Sequence, residues 1–213
     1  MIYCFGDSWS YGSGLNENEN PFVYWLSKDL GIKFVNYSSE GNSYPKIVSQ
    51  IFDNIHKINN KDIVLIVIPP DIRWMDQEDE HFIPWWVDLD KERYMSWLGD
   101  KTEVWFRYHA SLFTYTIQSA LDSIGCKYLF MHNYGGEFTI DNRFKFLINI
   151  DNFLDIKRSL TTILGGEDSY ESWDLKKDGP SERKYGIFFG EEDRRHPNEL
   201  GHKRIAELIK EKI

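Results

Sequence analysis

DIVLIVIPPD, residues 62–71, sets the architecture. Its unbroken aliphatic run from Ile63 to Ile68 has no polar alternation, so neither face is meant for water. Such a strand belongs in a parallel sheet covered by helices on both sides. Working outward, Ile2 to Phe5 reads as a short buried strand and residues 33–38 (KFVNYS) as a second. Residues 127–131 (KYLFM) read as a fourth. Helical patterns lie between them. Asn20-Pro21 opens one, with Phe22, Val23, Leu26 and Leu30 at helical spacing and Gly31 as its stop. Ser43-Tyr44-Pro45 opens the next, with a stripe of Ile47, Ile51, Ile55 and Ile58. A long helix runs from His109 to Gly125, and a last one starts at Pro197 with Leu200, Ile205, Leu208, Ile209 and Ile213 on its apolar side. Strands alternating with helices predict an α/β fold.

Two stretches break the alternation. From Pro69 to about Tyr108 the chain is irregular and rich in tryptophan: Trp74, Trp85, Trp86, Trp97 and Trp105 stand among many acids. Long insertions at strand ends usually serve function, so residues 71–108 are expected to form a cap with aromatic surfaces. The other reading is a small satellite core. A second irregular part runs from Tyr134 to about Gly190, with one helix candidate at residues 152–164 and a charged loop around Asp168 to Lys184. At 213 residues, the whole is expected to be one domain.

The formal net charge of -9 disfavours a polyanionic partner, and Arg194-Arg195 is too short for a basic patch, so nucleic acid is not expected. No apolar run approaches a membrane span. With no basic n-region before the first strand, the expected location is cytoplasmic, and release by lysis or in a particle stays open. Cys4 and Cys126 lie in apolar stretches and read as buried free thiols. The scattered histidines have no metal-ligand spacing, so neither metal nor cofactor is expected.

In a parallel sheet, ligands bind outside the carboxyl ends of the strands. The residues there are Gly6-Asp7-Ser8, Gly41-Asn42, Pro69-Pro70-Asp71 and His132-Asn133; Asp193-Arg194-Arg195-His196-Pro197-Asn198 precedes the last helix. A serine becomes a nucleophile when a base takes its proton, and the base is usually a histidine held by a carboxylate. Pro197 keeps His196 out of the helical region, so a tight turn brings the Asp193 carboxylate toward its imidazole. Ser8 alone also fits a helix cap, His196 a surface residue, and Gly41 a left-handed turn. Asp7 reads as a brace for its loop, and His202 as structural.

FGDSWSYG, EGN and DRRHPNELGH together resemble the SGNH hydrolases, also called GDSL esterases and lipases. The resemblance covers the first three strands and the last helix. It implies a flavodoxin-like three-layer sandwich on about five parallel strands, with Ser8 as nucleophile and Asp193 and His196 as relay acid and base. It also implies that the N–H groups of Ser8 and Gly41 hold the oxyanion. One block departs. Where that family carries Gly-x-Asn-Asp, with the asparagine as third oxyanion donor, this chain has Ile68-Pro69-Pro70-Asp71. Proline has no N–H and no amide side chain. Asn42, Arg73 and Asn133 are the candidate replacements. The implied activity is cleavage of a carboxylic ester, with a small-molecule or carbohydrate ester as substrate; the tryptophans favour an acylated carbohydrate. The alternatives are acyl transfer from the same site, or a non-catalytic carbohydrate- or protein-binding module. Nothing in the sequence fixes the oligomeric state.

Overall fold

The computed structural model describes residues 1–69, 74–75, 81–82, 101–133, 137–164 and 196–213. Four parallel strands form the sheet: β1 (Ile2–Phe5), β2 (Phe34–Asn36), β3 (Ile63–Ile68) and, in chain order after a hairpin, β6 (Lys127–His132). They lie in the order β2-β1-β3-β6. That is the doubly wound order of flavodoxin-like folds, in which the chain reverses direction across the sheet between β1 and β3. Ile2 pairs with Phe34 on one side and Ile63 on the other, and β6 runs level with β3 from Ile63–Lys127 to Ile68–His132. The fifth position holds a single parallel bridge, Phe130 to Phe153, with the Leu154 N–H on the Phe130 carbonyl at 2.9 Å.

Alternation along each strand splits the core in two, because successive side chains point to opposite faces. Tyr3, Phe5, Val64, Ile66, Ile68 and Phe130 meet α3 (Tyr44–Asn54) and α4 (Glu103–Ile124). Ile2, Cys4, Leu65, Val67, Leu129 and Met131 meet α2 (Phe22–Leu30) and α6 (Glu199–Lys212). The result is the α/β/α sandwich that the unbroken apolar run in β3 predicts. Both cysteines are buried, and burial pushes the Cys4 thiol up to about 12.

Several boundaries differ from the sequence reading. α4 starts at Glu103, not His109, because Thr102 caps it by accepting the Trp105 N–H. Trp105 is therefore a helix residue, its ring 4.0 Å from that of His109 between centroids. The expected helix over 152–164 is absent. Local side chains divert the backbone: just before that stretch Asn149 accepts from the Asp151 N–H, and within it Asp155 accepts from that of Lys157, while Ser159 caps the one turn that forms by accepting from Thr162. Only α5 (Leu160–Ile163), one turn, is helical after the Phe153 bridge. On α6 the buried face is Gly201, His202, Ile205, Ala206 and Ile209, whereas Leu200 is exposed. In the tryptophan-rich insertion, β4 (Trp74–Met75) and β5 (His81–Phe82) pair antiparallel, and β4 lies against α3. The rest of the expected cap, Arg73, the charged loop and Asp193 lie outside the described residues.

Candidate active site

Helix α1 (Ser8–Tyr11) is a single turn at the carboxyl end of β1. Asp7 caps it: one carboxylate oxygen accepts from the Trp9 N–H at 3.1 Å, and the other accepts from the Asn133 side-chain amide at 2.7 Å. Trp9, fully buried under the sheet, anchors the turn from below. Ser8 is thereby fixed at the edge of β1, and its first-turn N–H has no partner within the helix. The brace expected of Asp7 is present, and Asn133 at the end of β6 is its counterpart.

His196 arrives from the other end of the chain. α6 ends beside the start of β6, where the Lys127 ammonium donates to the Ile213 carbonyl, so α6 begins at the carboxyl edge of the sheet. Asn198 caps it by accepting the Gly201 N–H at 2.9 Å. Residue 196 sits just before that cap, with Pro197 buried behind it. The His196 Nε2 lies 2.9 Å from the Ser8 Oγ. Residues 188 positions apart thus meet in hydrogen-bond contact, the geometry a serine–base pair requires.

Gly14 is a neighbour that sequence reasoning missed. Its φ is +84°, and a Cβ placed there would stand 3.4 Å from the His196 Cβ and 3.9 Å from Cγ. Gly14 faces the His196 side chain across a space that a methyl group would fill at ordinary contact distance. The only signal in the sequence is its place two residues beyond Gly12, within reach of the Ser8 turn.

Gly41 occupies the turn after β2. The Asn42 N–H returns to the Ser39 carbonyl at 3.4 Å, and Gly41 has φ +72°. A positive φ at the third position of a turn is the type II arrangement, which glycine adopts without strain. The turn is tied to the end of β1: the Ser39 N–H and the Asn42 amide both donate to the Gly6 carbonyl, at 3.3 and 2.8 Å. Among the described residues, neither the Ser8 nor the Gly41 N–H donates to the protein.

The candidates for the third donor are placed as follows. Asn42 is fully buried, and its amide donates to Gly6 and to Gln50 at 3.1 Å. It is a brace, with both hydrogens engaged. The Asn133 amide is turned onto Asp7. Arg73 lies outside the described residues. Pro70, in the asparagine's place, also lies outside the described residues; Pro69 before it is buried at the end of β3.

His202 has the structural role expected of it. Its Nδ1 accepts the Phe22 N–H at 3.2 Å, supplying the cap that Pro21 has no side-chain group to give α2. Burial, aided by the His196 charge, lowers its pKa to about 3.

No family model and no curated protein matches the sequence. Solved structures do match it. LAE5, an alpha/beta hydrolase enzyme from the metagenome of Lake Arreo, Spain, is 11% identical at a TM-score of 0.53, covering 99% of this chain and 93% of its own. A protein of the G-D-S-L lipolytic family from Desulfitobacterium hafniense DCB-2 is 13% identical at 0.52, covering 100% and 98%. The acetyl xylan esterase AlAXEase is 15% identical at 0.51, again covering 100% and 98%. Over its whole length, then, this chain has the fold of GDSL-type lipolytic proteins and esterases, the fold its motifs imply.

Proposed function

We propose that the protein is a serine hydrolase of carboxylic esters. The observation that carries this reading is the 2.9 Å contact between the Ser8 Oγ and the His196 Nε2, at the carboxyl edge of a parallel sheet. Ser8 attacks the ester carbonyl while His196 takes its proton. The carbonyl oxygen becomes an oxyanion facing the N–H groups of Ser8 and Gly41. On collapse, His196 protonates the departing alcohol and the acyl group stays on Ser8. Water, deprotonated by His196, then releases the acid and restores the serine. Asp193, three residues before His196 in the sequence, is the group to hold the imidazole and stabilise its charged form. Two backbone donors then do the work that a third would share.

The acyl group is proposed to sit on a carbohydrate. The tryptophans of the insertion support this, and an acetyl xylan esterase is among the proteins of this fold. Pro70, in place of a side-chain donor, favours the rival reading of a binding module. The assembled Ser8–His196 pair weighs against it, because a binding module has no use for an engaged nucleophile.

The test is turnover of p-nitrophenyl acetate and of acetylated xylo-oligosaccharides. Ser8→Ala and His196→Ala should each lower kcat by on the order of a thousandfold or more while circular dichroism stays native. Asp193→Asn should lose nearly as much. Full turnover by Ser8→Ala would refute the assignment. Hydrolysis of the aryl ester alone would remove the carbohydrate reading and leave the esterase.

A further inference from the structure

Gly41 and Ser8 are joined by a short chain of hydrogen bonds whose outer end, at Glu40, is exposed. The Ser13 N–H donates to the Ser8 carbonyl at 3.0 Å, continuing the α1 turn by one bond. The Ser13 hydroxyl donates to a Glu40 carboxylate oxygen at 2.5 Å. Glu40 and Gly41 are the two central residues of the turn closed by Asn42 on Ser39. The Gly41 N–H belongs to the Glu40–Gly41 peptide plane, so its direction follows from the backbone of Glu40 and the positive φ of Gly41. Ser13 is buried, whereas Glu40 is exposed and touches the fold through this contact at the tip of the turn. The base of the turn is already held at the Gly6 carbonyl. The turn is held at Gly6 and closed across itself by Asn42 on Ser39, and the Ser39 hydroxyl donates to the Asn42 amide oxygen at 2.7 Å; Glu40 adds a third hold, at the tip.

We propose that Ser13 and Glu40 form a latch that aims the Gly41 N–H at the reaction centre, making both positioning residues for the reaction at Ser8. This rests on the hydrolase reading above. An oxyanion donor is effective only when it is fixed before charge develops, since reorienting it during the reaction uses up the stabilisation it gives. A hydrogen bond to a charged acceptor is strong enough to fix a turn and too local to hold the fold together. The latch therefore acts on kcat. It leaves KM alone, because a neutral ester carbonyl in the ground state gains little from the donor.

The experiment is steady-state kinetics with p-nitrophenyl acetate on Ser13→Ala, Glu40→Ala, the double variant and Glu40→Gln, with thermal midpoints taken alongside. Each single alanine variant is expected to lower kcat about tenfold, less than deleting a donor outright, with KM changed by less than about twofold. The double variant should lose no more than either single one, because the second change removes nothing further. Glu40→Gln keeps an acceptor oxygen and should recover most of the rate. Losses that appear in KM, that multiply in the double variant, or that Glu40→Gln fails to recover would overturn the latch while Ser8-dependent turnover still stands. A wild type with no turnover and no reaction at Ser8 would overturn the hydrolase reading and the latch with it.

Discussion

At the scale of single residues, the site depends on contacts among groups far apart in sequence. Ser8, His196 and Gly41 were legible because each lies beside a pattern with a mechanism: an apolar strand, a proline-started helix, a strand-to-helix turn. Asn42 closes the turn after β2 and Asn133 directly follows β6, but their amides are turned inward on Gly6 and Asp7. Sequence gives the position of an amide and says nothing of its partner. Gly14 escaped notice for the same reason, since its function is the room it leaves. Gly14→Ala would set a Cβ at 3.4 Å from that of His196 and strain a backbone at φ +84°. The expected outcome is a loss of about 1 kcal/mol or more in stability. The added methyl meets His196 at ordinary contact distance, so any fall in kcat, several-fold at most, should come from the strained backbone shifting beside the base. Urea unfolding and ester kinetics on one preparation measure both, and a variant with unchanged kcat would show that the Gly14 backbone does not position His196.

At the scale of elements, regular periodicity was read well and local side-chain chemistry was not. The apolar run of β3 and the stripes of α2 and α3 specified their elements because burial drives them. The expected helix over 152–164 shrank to one turn because Asn149 and Asp155 bond nearby backbone groups ahead of it, leaving Ser159 as the cap of what remains. The same chemistry sets the start of α6. Asn198 caps it two residues after His196, so the cap aims the base as well as ending the helix. Asn198→Ala should cost about 1 kcal/mol in chemical denaturation. It should also lower kcat by more than a cap change of similar stability cost away from the site, for which Gly31→Ala at the C-terminal cap of α2 is the control. Equal kcat in the two variants would mean that the cap serves stability alone.

At the scale of the whole molecule, His202 couples the two ends of the chain. It holds α2 against α6 as a neutral imidazole, accepting at Nδ1 from Phe22. Burial and the nearby His196 keep its pKa at about 3, while an unfolded histidine titrates near its ordinary value of about 6.5. Between those values the unfolded chain binds a proton that the folded one refuses. Stability from this group is thus complete above about pH 6.5 and is lost as the pH falls toward 3. Between pH 6.5 and 4.5, above the range in which most unfolded carboxylates titrate, urea unfolding should lose up to about 1.4 kcal/mol per pH unit from His202. His202→Asn, which does not titrate, should show a flatter profile over that window. An identical slope in the variant would remove His202 as the acid-sensitive joint.

The central claim, that Ser8 is an activated nucleophile, is tested most directly by covalent labelling. The wild type is treated with a fluorophosphonate and read by intact mass and peptide mapping, beside Ser8→Ala and His196→Ala. The account predicts one adduct on the peptide carrying Ser8, none in Ser8→Ala, and much slower labelling in His196→Ala. A folded wild type that takes no label, or takes it at another residue, would contradict it.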